Sequence, residues 1–225
     1  MRIYMASKTP LDRLPFTGDD EADRLLVQEP LALLIGFELD QQVPLQKAFS
    51  GPLELRKRIG NLDAARIAAL DPAVLDEAFR RRPALHRFPG NMARRTQELA
   101  KVIAEDFGND ASRVWSEATD GRDLQRRLMS LPGFGEMKVK TMIAILGKQL
   151  GVRPPGWEDV APSHMTLGDV DGPEALKRYQ DGKRAYKAAM REAMAEGADP
   201  KAAHDRAGSA AMEAVEPVKR SRGRS

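Results

Sequence analysis

Three short stretches of this sequence carry side chains whose type and spacing suit chemistry. The first is Leu131-Pro132-Gly133-Phe134-Gly135. Pro132 fixes one dihedral of a tight turn, while Gly133 and Gly135 permit positive φ and keep side chains off the turn's outer face. With a helix opening at Met137, the turn's N–H groups and the helix N-terminus form an anion site that no Cβ blocks. Lys138 and Lys140 bring positive charge to it. An ordinary link between helices is the plainer reading; the apolar pair Leu131 and Phe134 and the two-glycine spacing favour the anion site.

The second stretch is the apolar run at 31–39, with Phe37 and Glu38 near its end, continued by Asp40-Gln41-Gln42-Val43-Pro44. A carboxylate in so apolar a run is costly unless it faces a cleft or meets a partner, which makes Glu38 a candidate for recognition or catalysis. Gln41 and Gln42 either present amide donors and acceptors to a ligand or only cap and turn a helix. The third stretch is Trp157-Glu158-Asp159. Asp159 first, and Glu158 second, are carboxylates able to stabilise developing positive charge and position water. The same three residues also suit the start of a short helix, with Trp157 either stacking on a ring or filling core. His86, beside Arg87, either contacts a phosphate or base or is a capped surface residue.

Helical punctuation surrounds these stretches. Asp19-Asp20-Glu21 opens a first helix, and Pro30 starts the buried one at 31–39. Pro52 is expected to start a helix at 53–59 closed by Gly60. Asp63 caps 64–69, and Asp71-Pro72 starts 73–80. Asn91 is expected to cap a helix running to about Phe107, with Leu99, Val102, Ile103 and Phe107 at helical spacing. Short helices at 111–117 and 124–129 lead to the turn, an apolar helix follows at 137–150, and a charged one runs from about 173 to 195. No stretch alternates like a strand. The last residues, 208–225, are poor in large apolar side chains and read as a flexible basic tail.

Composition narrows the function classes. The 225 residues hold no cysteine and three histidines (His86, His164 and His204) in no metal-ligand pair, which removes thiolate zinc and iron–sulfur sites. There is no long uncharged apolar run and no signal-peptide core, so a cytoplasmic protein is expected. Net charge is +3, but the cations cluster: Arg80, Arg81, Arg82, Arg87, Arg94 and Arg95 in one group, Arg126, Arg127, Lys138, Lys140, Lys148 and Arg153 in a second. Clusters flanking an anion-binding turn suit nucleic acid.

The turn, followed by Val139, Ile143 and Leu146, resembles the hairpin of the helix-hairpin-helix DNA glycosylases (HhH-GPD), such as endonuclease III and 3-methyladenine glycosylase II. Residues 31–44 resemble that superfamily's buried helix and glutamine-containing turn. Phe88-Pro89-Gly90-Asn91-Met92-Ala93-Arg94-Arg95 resembles its loop-to-helix segment, about forty residues before the hairpin. The resemblance covers roughly residues 20–160. It implies an all-α, two-lobed fold over residues 1–204, with the helix-hairpin-helix at about 122–150 and a flexible tail at 205–225. It implies a monomer that binds double-stranded DNA and hydrolyses the N-glycosidic bond of a flipped base. Gln42, with Gln41, would fill the space the base leaves. His86, Arg87, Gly133, Phe134, Gly135, Lys138 and Lys140 would contact DNA, and Phe37 and Trp157 would line the base pocket. Asp159, then Glu158 or Glu38, would be the catalytic carboxylate, though the loop before Asp159 is longer than in endonuclease III and lacks its Val-Asp-Thr context. Lyase chemistry is not expected: bifunctional members carry a lysine where this chain has Met137, and Lys138 sits a quarter turn further round the helix. No cofactor is implied beyond room for a monovalent cation at the hairpin. A DNA-binding protein of this fold without chemistry, recognising distorted duplex, is the alternative, and a helical protein-interaction adaptor a third.

Overall fold

A computed structural model of the protein describes residues 11–215. Every regular element among them is helical, so the chain is all-α. No described helix is long and apolar enough to cross a membrane. Two compact units divide the chain, Met1–Asp171 and Gly172–Ser225. The boundary between them falls at 171/172.

In the first unit, α1 (Asp20–Gln28) is capped by Asp19, whose carboxylate accepts from the N–H of Glu21 and Ala22. Helix α2 (Pro30–Leu39) is buried along 31–39, as its all-round apolarity requires. Helix α3 (Leu45–Ile59) starts after Pro44 and runs through Pro52, seven residues earlier than the proline suggested. Pro52 sits inside the helix, and its neighbour Gly51 leaves room for Leu39 of α2. Gly36 does the same for Phe49, whose Cδ1 would lie 2.7 Å from an added Cβ. Close approach of α2 and α3 thus outweighs the intrahelical hydrogen bond that Pro52 forfeits. Phe49 makes edge contacts with Phe16 and Phe37 at ring separations of 5.2 and 5.4 Å.

Helices α4 (Ala64–Ala69) and α5 (Pro72–Arg80) are capped by Asp63 and Asp71, and both pack on α6 (Pro89–Asp106). Helix α6 begins at Pro89 without a side-chain cap; Asn91, expected to cap it, instead accepts from Arg94 at 3.0 Å. After α7 (Arg113–Ser116), Asp120 caps α8 (Gly121–Met129) through the Asp123 N–H. The turn at 130–135 leads into α9 (Glu136–Lys148), and α10 (Trp157–Val160) packs on both α8 and α9.

The second unit is a pair of helices, α11 (Pro173–Ala195) and α12 (Pro200–Val215). Residues 208–215, read as tail, belong to α12; those after 215 lie outside the described residues. Alanine is a strong helix former, and small residues let two helices close without large apolar side chains: Ala203 and Ala207 are fully buried, and Val215 touches Gly182. Deleting 208–225 is therefore expected to speed amide exchange along α11. Unaltered exchange in α11 would return 208–215 to the tail.

Candidate nucleic-acid interface

Three elements of the first unit meet at one carboxylate. Glu38, in the last turn of α2, is 0% exposed. Arg95 of α6 pairs through Nε with its Oε1, and the Lys138 amine of α9 lies 3.5 Å from its Oε2. The partner that a carboxylate in that apolar run requires is thus supplied by two distant helices. Burial holds the Lys138 amine below its ordinary pKa, an effect that Glu38 partly offsets and Arg95 adds to. A quarter turn round the helix from Met137, Lys138 points inward to Glu38.

Gln41 closes the group. Its amide nitrogen donates to the Glu38 carbonyl at 3.0 Å, and its Oε1 accepts from Arg95 at 3.2 Å. Gln42 follows, exposed and with φ +56, a conformation that non-glycine residues adopt rarely. His86, expected to face a phosphate or base, is 1% exposed. Its Nδ1 accepts from the Phe88 N–H at 3.1 Å, so Nε2 carries the proton and donates to the Gln41 carbonyl at 2.8 Å. His86 therefore holds the glutamine loop from behind. Arg87 is exposed and stacks on Phe88, itself 44% exposed, at 4.7 Å.

Burial lowers the His86 pKa from its ordinary value of 6.5. As pH falls below about 6.5, the unfolded chain takes up a proton that the folded chain resists, so stability is full above that pH and lost below it. Melting temperature is expected to fall between about pH 7 and about pH 5.5, and the slope to flatten in His86→Gln. Equal slopes in both proteins would mean that His86 is not the group responsible.

The turn before α9 uses its two glycines differently. Gly133 has φ +79, and a Cβ there would overlap the Glu38 carboxylate and approach the Arg95 guanidinium. Its bareness serves the interior, not the outer face. Gly135 has φ −87, not the positive value expected, and its missing Cβ points into open space. Phe134 is only 4% exposed and lies on Phe37 at a ring separation of 6.2 Å. Phe37 is itself 2% exposed. Both rings are core, so Phe134 can offer a ligand only its backbone. No side chain caps α9. Its first turn borders an open pocket of about 400 Å³, lined by Gln41, Arg95, Gly133, Gly135, Met137 and Lys138. Lys140 is held by Glu136 at 2.7 Å.

The third stretch lies elsewhere. Trp157 is 9% exposed, its ring lying where a Cβ on Gly147 would go, so it is core packing against α9. Gly147 is nine residues beyond Lys138, about 13 Å along the helix axis at 1.5 Å per residue. Glu158 and Asp159 are exposed on α10, and neither lines the hairpin pocket. Neither has an ion pair among the described residues. Arg95 and Met137 line the hairpin pocket, although the sequence had not singled out either as a contact. The cost of burying Glu38 announced that a cation was needed but not which one. No family model, curated protein or solved structure matches this chain.

Proposed function

We propose that the chain binds double-stranded DNA through the α8–α9 turn and acts as a monofunctional N-glycosylase of the helix-hairpin-helix kind on a base flipped from the duplex. One observation carries this reading: the uncapped N-terminus of α9 and the bare Gly135 border the same pocket as Gln41, beside an exposed Gln42 in a left-handed conformation. A DNA phosphate fits the first feature, where N–H groups and the helix dipole favour an anion. The amide of Gln42 suits the second, filling a stack and pairing with an orphaned base. Exposed Arg87 and Arg94 supply further phosphate contacts.

Hydrolysis needs a carboxylate that stabilises an oxocarbenium-like sugar and positions water. Glu38 is enclosed and committed to Arg95 and Lys138. Asp159, in the first turn of α10, is open to a substrate, and we assign it that role. Met137, 70% exposed at the pocket, offers no amine for lyase chemistry. The test is a set of duplexes each carrying one modified or mismatched base, scored for abasic-site formation and for strand cleavage. Base release without strand cleavage is the expected result. The absence of Asp159 from the lining of the hairpin pocket favours the second reading, a binder of distorted duplex without chemistry. Duplex binding with no base released from any substrate would select it.

A further inference from the structure

Nothing in the proposed reaction uses the Glu38 carboxylate, yet cations from two distant helices converge on it. The carboxylate is wholly enclosed, and taking it from water is costly unless its partners are well placed. They come from three places in the chain. The Arg95 fork spans Glu38 Oε1 with Nε and Gln41 Oε1 with Nη1, a geometry suited to a planar guanidinium and not to an ammonium. Lys138 reaches Oε2 from the first turn of α9. Gly133 has lost its Cβ in favour of the same carboxylate and guanidinium. Gln41 folds back to donate to the Glu38 carbonyl, and His86 holds the Gln41 carbonyl from the other side.

We infer that Glu38 is a positioning residue: clamped by Arg95 and Lys138, it locks the loop bearing Gln41 and Gln42 to the turn at 131–135, so that phosphate capture and the insertion of Gln42 occur on one rigid surface. The inference rests on the DNA-binding reading. It has a consequence that a catalytic or purely structural Glu38 would not share. Lys138 and Arg95 are turned inward by the carboxylate, and removing its charge releases both toward phosphate.

The experiment measures affinity of the full chain for two short duplexes, one intact and one carrying a tetrahydrofuran abasic analogue, over a range of salt concentrations, with melting temperature in parallel. Wild type prefers the abasic duplex. Glu38→Gln binds the intact duplex at least as well, with a salt slope steeper by up to about 0.9 per released cation, and loses the preference to within about twofold. Arg95→Lys keeps the charge but not the fork, so the preference falls while the salt slope stays. Retained preference in Glu38→Gln overturns the inference, as does a parallel loss of both affinities with melting temperature, or a wild type that binds both duplexes equally. Should Glu38→Gln not fold, Arg95→Lys takes its place: a lost preference at an unchanged salt slope supports the inference and a kept one overturns it. A wild type that binds no duplex at all sinks the DNA-binding reading itself, a different result from any of these.

Discussion

Asp159→Asn is expected to slow base excision by about 10²–10³ while leaving duplex affinity unchanged or slightly raised. The substitution keeps the side chain's shape and removes its charge. If that charge faces the cationic sugar in the transition state, its loss costs what one preorganised electrostatic group typically supplies. Affinity does not fall, because the substitution removes one negative charge from a protein that binds a polyanion. Fold does not enter the comparison: Asp159 is exposed and has no ion pair among the described residues, so melting temperature stays within experimental error. Glu158→Gln, one position along the same exposed helix, is the control and keeps most of the activity. The pair is read on the substrate that gives the fastest release. Excision by Asp159→Asn at the wild-type rate, with Glu158→Gln impaired, moves the role to Glu158. If neither substitution matters on a substrate that is cleaved, the carboxylate mechanism fails as a whole.

What the sequence revealed followed from local rules. Helix starts at Asp19, Asp63 and Asp71 and the buried run at 31–39 rest on capping and periodicity, and the structure has them. Where a local rule competed with a tertiary contact, the contact prevailed. Pro52 reads as a helix start, yet α3 passes through it because Gly51 and Gly36 let α2 come close. Residues 208–215 read as tail, yet alanines too small to register as core allow α12 to close on α11. The site divides in the same way. The turn at 131–135 and the costly burial of Glu38 were visible in residue types alone. That Glu38 answers to Arg95, fifty-seven positions later, and that His86 faces inward to Gln41, depend on which helices meet, and no spacing encodes that. Phe134 and Trp157 show the converse: an aromatic near a motif reads equally as a ligand platform or as core, and here both are core.

The sharpest separation of binding from folding lies in the two glycines of the turn. Gly135→Asp is expected to weaken duplex binding by about 30-fold, about 2 kcal/mol, because it sets a carboxylate against the phosphate that the α9 N-terminus would hold. The fold should not suffer. Gly135 occupies the N-cap position with φ −87 and ψ 171, an extended conformation that aspartate accepts, and its Cβ enters open space. Aspartate caps helices better than glycine by a few tenths of a kcal/mol, so melting temperature holds or rises slightly. Gly133→Ala is expected to do the reverse of this. Its φ of +79 alone costs an L-residue about 1–3 kcal/mol. The added Cβ also meets the Glu38 carboxylate, which is enclosed and cannot swing aside. Stability falls first, and binding falls only as the turn distorts. Circular dichroism melts beside fluorescence anisotropy on an intact duplex read both quantities for both variants. If Gly135→Asp keeps its melting temperature and also its affinity, the α9 N-terminus does not hold phosphate, and the basic residues around it must bind DNA by some other surface. If Gly133→Ala instead melts like wild type, the carboxylate beneath the turn is not fixed there, and the account of why this glycine is bare is wrong.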